Sequence, residues 1–207
     1  MIKHTQQSLD LTQEISNKIN DQTFHHHYHI LYDIANSYSK DYPLTYVEIG
    51  CYAGGSACLV LQRPNTKVIS IDLGHPISPD VVYNNVEKLN NLKNPYYYLQ
   101  GNSQTYETVD LLKNVTQKID ILFIDGDHSY QGVINDFLLY ENLVAPKGYI
   151  IFDDYNDYKY SPEVKTAVDV LIPTIIENYD IIGTLPNIYN ARPDWLKEGN
   201  DFIIRKK

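Results

Sequence analysis

Two short stretches of this chain place carboxylates directly after apolar runs. Residues 119–124 are followed by Asp125-Gly126-Asp127-His128-Ser129-Tyr130, and residues 149–152 by Asp153-Asp154-Tyr155. If the two runs are neighbouring strands, three carboxylates end side by side. Crowding of that kind is unfavourable unless protons or a cation offset the repulsion. An all-oxygen cluster suits Mg²⁺ or Ca²⁺ and not zinc. The plainer reading is that Asp127 or Asp154 caps the helix that follows.

A second group of residues could hold a nucleoside. The run 45–49 leads into Glu48-Ile49-Gly50-Cys51-Tyr52-Ala53-Gly54-Gly55-Ser56. Its glycines permit a tight turn and close backbone approach to a ligand. A dinucleotide fingerprint would need glycine where Tyr52 stands, so a nicotinamide dehydrogenase is disfavoured. After the run 68–71 comes Asp72, at the distance where an acidic side chain holds ribose hydroxyls. After the run 96–99 comes Gly101-Asn102-Ser103, a short polar loop that could border a base. Each loop alone reads equally as an ordinary strand–helix turn.

These loops need a scaffold, and the intervening pattern supplies one. Several runs are continuously apolar, as strands covered on both faces are. Helical patterns lie between them. One starts at Ser78-Pro79-Asp80 and carries Val82, Val86 and Leu89. Another carries Val133, Phe137, Tyr140 and Val144. A third starts at Ser161-Pro162-Glu163 with the stripe Val164, Val168, Leu171 and Ile175, which Pro173 is expected to kink or end. The alternation predicts an α/β, Rossmann-like, doubly wound and mostly parallel seven-stranded sheet. The last two runs, 180–184 and 201–205, are joined by a segment rich in Pro and Asn, which predicts an antiparallel finish. In such sheets ligands bind beyond the carboxyl ends of the strands, where every loop named above falls. Residues 1–43 read as a helical extension, with Leu11, Ile15 and Ile19 on one stripe and Ile30, Ile34 and Tyr38 on another. The remainder, 44–207, reads as one ligand-binding domain. Between the two stripes lies Phe24-His25-His26-His27-Tyr28-His29, read as mostly exposed histidines in or near a helix.

Composition narrows the function. The chain has 207 residues, 43% hydrophobic and 21% charged, which fits a folded globular protein. Acidic residues outnumber basic ones by 26 to 17, a net charge of -9 that disfavours a nucleic-acid partner. No apolar run is long enough for a membrane span, and the first twenty residues lack a signal-peptide stretch. Two cysteines, Cys51 and Cys58, make neither a disulfide framework nor a CxxC zinc site, so a cytoplasmic setting is expected. The 19 tyrosines include Tyr155, Tyr158 and Tyr160 after the acidic pair. They could stack on a sugar ring or stand as ordinary loop residues.

Taken together, Glu48-x-Gly50-x-x-x-Gly54-x-Ser56, Asp72, Gly101-Asn102-Ser103, the segment from Phe123 to Tyr130 and Phe152-Asp153-Asp154 resemble class I S-adenosylmethionine-dependent methyltransferases. More narrowly, they resemble the metal-dependent O-methyltransferases that include macrolide-sugar enzymes and cephalosporin-hydroxylase-like proteins. The resemblance spans residues 44–205. It implies that Glu48, Gly50, Tyr52, Gly54 and Ser56 surround the methionine part of the cofactor, that Asp72 binds its ribose, and that Asn102 and Ser103 flank its adenine. It further implies that Asp125, beside the cofactor, joins Asp153 and Asp154 in binding Mg²⁺, and that His128 is the catalytic base. The family often has Glu before Asp in the acidic pair; here both are Asp, one methylene shorter. The expected activity is methylation of a hydroxyl on a sugar, nucleotide sugar or glycosylated small molecule. The expected partners are a carbohydrate-like small molecule and a second copy of the chain meeting the N-terminal helices, with no nucleic acid and no membrane. The alternatives are a hydroxylase-associated protein of the cephalosporin type and a non-catalytic cofactor-binding module.

Overall fold

The computed structural model describes residues 2, 5–19, 28–185 and 200–207. Seven strands form one sheet: β1 (Leu44–Ile49), β2 (Thr66–Asp72), β3 (Tyr96–Gln100), β4 (Ile119–Ile124), β5 (Val144–Phe152), β6 (Tyr179–Thr184) and β7 (Phe202–Lys206), in the order β3-β2-β1-β4-β5-β7-β6. The first five are mutually parallel, and β7 runs antiparallel to both β5 and β6. The sheet is thus the expected doubly wound one with its antiparallel finish.

Side chains alternate between the two faces of a strand, and the strand sequences use both faces. Tyr46, Val68, Phe123, Ile151 and Ile203 point into one core, which holds apolar residues of α1 (Gln6–Ile19), α2 (His29–Asn36), α3 (Gly55–Val60) and α4 (Pro79–Leu89). Their neighbours Val47, Ile69, Leu122, Ile150 and Ile204 point into the other, against α5 (Tyr106–Val115), α6 (Tyr130–Tyr140) and α7 (Pro162–Ile175). Burial on both faces explains why β1 and β4 are mostly apolar with no regular polar alternation, Thr45, Glu48 and Asp120 being their polar residues. The N-terminal helices share their core with α3: Ile15, Ile30, Leu31 and Ile34 are each at most 2% exposed.

Three expectations are corrected. Val144 is not on the α6 stripe; the helix stops at Tyr140, a short 3-10 turn follows, and Val144 opens β5. Of the kink or end expected at Pro173, the end is not what occurs: α7 runs two residues further, to Ile175. By then the helix is in its last turn, where losing one amide hydrogen bond is tolerated. His29 is not an exposed histidine but fully buried at the start of α2. The rest of the histidine-rich stretch lies outside the described residues, apart from Tyr28. No described helix is long and apolar enough to cross a membrane.

Candidate active site

The loops after β1 to β4 enclose a cleft of about 550 Å³ at the carboxyl end of the sheet. Gly50, Tyr52, Asp72, Asn102, Ser103, Asp125 and His128 all line it. Its walls also include apolar Ile71, Leu73 and Ile77. Six loop positions singled out for a cofactor and the proposed base therefore face a common space.

The geometry at Gly50 shows why the first loop needs glycine. Its φ is +81°, and a Cβ there would lie 2.0 Å from the carbonyl oxygen of Asp125. The β1 and β4 loops thus touch backbone to backbone, joined by Asp125 N–H to Ile49 O (2.9 Å), while Gly50 N–H to Ile71 O (2.8 Å) ties the first loop to β2. Tyr52 also adopts a left-handed conformation, with φ 45°. Asp72 organises the loop edge: Oδ2 accepts from Cys51 N–H at 2.9 Å and Oδ1 from Gly74 N–H at 2.7 Å. Gly54 caps α3 in the left-handed region.

Glu48 and Ser56 do not line the cleft. They meet beneath the loop, where Glu48 accepts from Ser56 Oγ (2.6 Å), Ser70 Oγ (2.6 Å) and Tyr46 Oη (3.1 Å). Burial pushes the Glu48 carboxyl up to about 7, against the lowering effect of those three hydroxyls. Its visible role is to tie β1, β2 and α3 together under the loop that joins β1 to α3.

At the far end of the cleft, His128 sits between carboxylates. Nε2 is 3.2 Å from Asp125 Oδ1, and Nδ1 is 2.9 Å from Ser161 Oγ and 3.4 Å from Asp154 Oδ2. Burial alone would lower its pKa; the hydrogen bond and charge of Asp125, with Asp154 and Asp153 behind, raise it to about 9. Asp125 moves up to about 7, through desolvation first and the Asp153 charge second, despite His128. Asp127 takes neither role: Oδ1 accepts from Ser129 N–H and Oδ2 from Gln104, while the α6 cap is Ser129, whose Oγ accepts from Gly132 N–H. His128 is therefore not a helix cap.

Asp153 and Asp154 lie behind the cleft wall, 1% and 5% exposed. Asp153 Oδ1 accepts from Asp154 N–H at 2.8 Å. Asp154 has φ 58°, a strained conformation for a residue with a Cβ, and is held there by Asn200 Nδ2 on Oδ1 (2.8 Å) and Ser161 Oγ on Oδ2 (2.7 Å). Among the described residues, no group of three or more His, Cys, Asp or Glu side chains is arranged as a metal-ligand shell. The donor chemistry still fits a hard cation: three carboxylates within electrostatic reach, one raised by burial and then by the Asp153 charge, are what a divalent ion would relieve.

Several residues of the site escaped the sequence reading. Tyr28 comes from the N-terminal region, lines the cleft and donates from Oη to Asp125 Oδ2 at 3.0 Å, its ring edge-on to Phe123. Ser161 and Asn200 brace the acidic pair. Asp136 is fully buried on α6 near Ser103, neither carboxyl oxygen has a hydrogen-bond partner among the described residues, and burial pushes it to about 7. No local signal marks them, because each contact joins residues far apart in the chain. The proposed stacking wall loses Tyr155, which is buried against Phe202 and bonded to Asp169. Tyr158 and Tyr160 are exposed and do not line the cleft.

Over residues 47–155 the chain matches the family described as "Methyltransferase domain". An uncharacterized protein of Acanthamoeba polyphaga mimivirus is 40% identical over 196 residues, which covers 89% of this chain and 88% of that one. Among solved structures, the O-methyltransferase from Bacillus cereus in complex with SAH matches at a TM-score of 0.65 and 16% identity, over 98% of this chain and 92% of that one. MycE from the mycinamycin biosynthetic pathway, solved with Mg, SAH and mycinamycin VI, matches at 0.62 and 19% identity, over 95% of this chain and 53% of that one. The O-methyltransferase NovP matches at 0.58 and 18% identity, over 99% and 82%. At these identities the structural matches speak for the fold, and the domain match speaks for the family. A seven-stranded sheet with its cleft beyond β1 to β4, carried by a sequence that matches that domain over more than half its length, makes this chain a member of the methyltransferase domain family with the class I S-adenosylmethionine-dependent methyltransferase fold.

Proposed function

We propose that the chain is an S-adenosylmethionine-dependent O-methyltransferase acting on a hydroxyl of a sugar, nucleotide sugar or glycosylated small molecule. One observation carries this reading: a single cleft joins the Gly50–Asp72–Asn102–Ser103 wall to the His128–Asp125 pair. The first part suits a nucleoside and the second a proton transfer.

The bound cofactor supplies a methyl group on a sulfonium, an already activated leaving group. The chain's task is to seat the nucleoside and to bring an acceptor oxygen to within about 3 Å of that methyl, in line with the sulfur. Asp72 offers a carboxylate at the cleft wall for a ribose diol. Gly50 and Gly101 keep the backbone low there, while Ile71, Leu73 and Ile77 give apolar surface for a base. In its neutral form, reached as pH rises toward about 9, His128 takes the acceptor's proton at Nε2 as the new carbon–oxygen bond forms. Asp125 and Asp154 stabilise the resulting imidazolium.

Asp125, Asp153 and Asp154 are the residues that would hold Mg²⁺ or a similar hard cation. Such an ion, when bound, would supply polarisation of the acceptor hydroxyl and so a lower hydroxyl pKa. A small-molecule acceptor in place of a nucleic acid agrees with the net charge of -9.

The test is isothermal titration calorimetry with S-adenosylhomocysteine and with NAD, followed by turnover with and without chelator. Binding of the first, none of the second, and turnover lost in chelator are expected. NAD binding would overturn the cofactor assignment, and full turnover in excess chelator would overturn the metal assignment.

A further inference from the structure

Ser161 stands at the N-cap of α7, followed by Pro162 at the first helical position, yet its side chain makes no capping hydrogen bond. It is 2% exposed and turned inward. Its Oγ lies 2.7 Å from Asp154 Oδ2 and 2.9 Å from His128 Nδ1. Donor and acceptor accounting settles the polarity of this chain. A hydroxyl has one proton, and a carboxylate only accepts. The Ser161 proton therefore goes to Asp154, and Oγ must accept from Nδ1–H of His128.

We infer that Ser161 is a positioning residue for His128, holding a proton on Nδ1 and so turning Nε2 to the cleft, where it donates to Asp125 Oδ1 until an acceptor displaces that contact. The nitrogen that would receive the acceptor's proton is then chosen by a residue on another helix, 33 positions away in sequence. The strained Asp154 gains a reason as well: held by Asn200 on one oxygen, it offers the other to Ser161. The hydrogen-bond part of this inference stands by itself; its catalytic consequence rests on the methyltransferase reading.

The experiment uses uniformly ¹⁵N-labelled, chelator-treated full-length protein. The imidazole N–H resonance of His128 is assigned by its loss in His128→Gln. In the wild type it should show a nuclear Overhauser effect to the Ser161 β-protons. It should shift or vanish in Ser161→Ala and return in Ser161→Thr. No Overhauser contact in the wild type overturns the inference without any variant. An unchanged resonance in a folded Ser161→Ala does the same. In turnover assays Ser161→Ala should lower kcat by on the order of 10-fold, the equivalent of one hydrogen bond, with the KM for S-adenosylmethionine unchanged and Thr restoring the rate. A wild-type kcat in Ser161→Ala contradicts the positioning role. If no form of the protein transfers methyl groups, the functional reading fails while the resonance still decides the hydrogen bond.

Discussion

Replacing Gly50 by alanine tests the loop geometry with an internal control. Two penalties are expected at Gly50. Its φ of +81° is left-handed, which disfavours a Cβ by about 1 kcal/mol. The added Cβ would also lie 2.0 Å from Asp125 O, 2.7 Å from Asp125 C and 3.0 Å from Gly126 Cα, all backbone atoms that cannot rotate away. The loops must separate by about 1 Å, a strain of the overpacking kind worth roughly 1–3 kcal/mol. Gly183 isolates the first penalty: its φ is +77°, with nothing within 4 Å of an added Cβ. At about 2–4 °C per kcal/mol for a chain of this size, Gly183→Ala should lower Tm by roughly 2–4 °C and Gly50→Ala by roughly 4–16 °C. Calorimetric titration should show S-adenosylhomocysteine binding lost in Gly50→Ala and intact in Gly183→Ala. Separating the loops would pull Cys51 N–H from Asp72 and the cleft wall with it. Equal Tm losses in the two variants would refute the steric argument, and full cofactor affinity in Gly50→Ala would refute the placement of the cofactor.

Asp72→Ala should weaken S-adenosylhomocysteine binding by about 10- to 150-fold, the loss of a charge-assisted hydrogen bond worth roughly 1.5–3 kcal/mol, as read by the same titration. His128→Ala should lower turnover by about 10²–10⁴-fold with cofactor affinity nearly unchanged, separating a base from a structural residue. Asp136 gives a pH signature. Its folded-state pKa of about 7 lies above the ordinary 3.8, so the folded protein holds the extra proton between those values and stability falls as pH rises through them. Asp136→Asn should flatten part of that slope and raise stability at pH 8 by on the order of 1 kcal/mol, measured by thermal unfolding across pH.

The sheet was readable because strands buried on both faces announce themselves. Ile119–Ile124 has no polar alternation except Asp120, and both ends of β4 fall where the apolar run does. Val144 misled because an apolar residue four after Tyr140 fits a helical stripe and a strand start equally well. Neither α3 nor α5 was singled out. Helix α3 is short and begins in the glycine loop, and α5 shows only Val109 and Leu112 as buried apolar positions. The loops that line the cleft were legible because each of their residues follows its own strand. Tyr28, Ser161, Asn200 and Asp136 were not, because only the folded chain brings them to Asp125, His128, Asp154 and Ser103. Glu48 shows the converse: its position in the motif was plain, but alternation along β1 turns its carboxyl under the loop, toward Ser56 and Ser70.

The most direct measurement is transfer of a labelled methyl group. The protein is incubated with methyl-labelled S-adenosylmethionine and a panel of nucleotide sugars, glycans and glycosylated small molecules, and products are separated by mass and label. Label on a hydroxyl oxygen of at least one sugar-bearing acceptor, formed about 10²–10⁴-fold more slowly with His128→Ala, is the predicted result. Binding of the cofactor with no labelled product from any acceptor, or an acceptor that gains an oxygen atom and no methyl group, would contradict it.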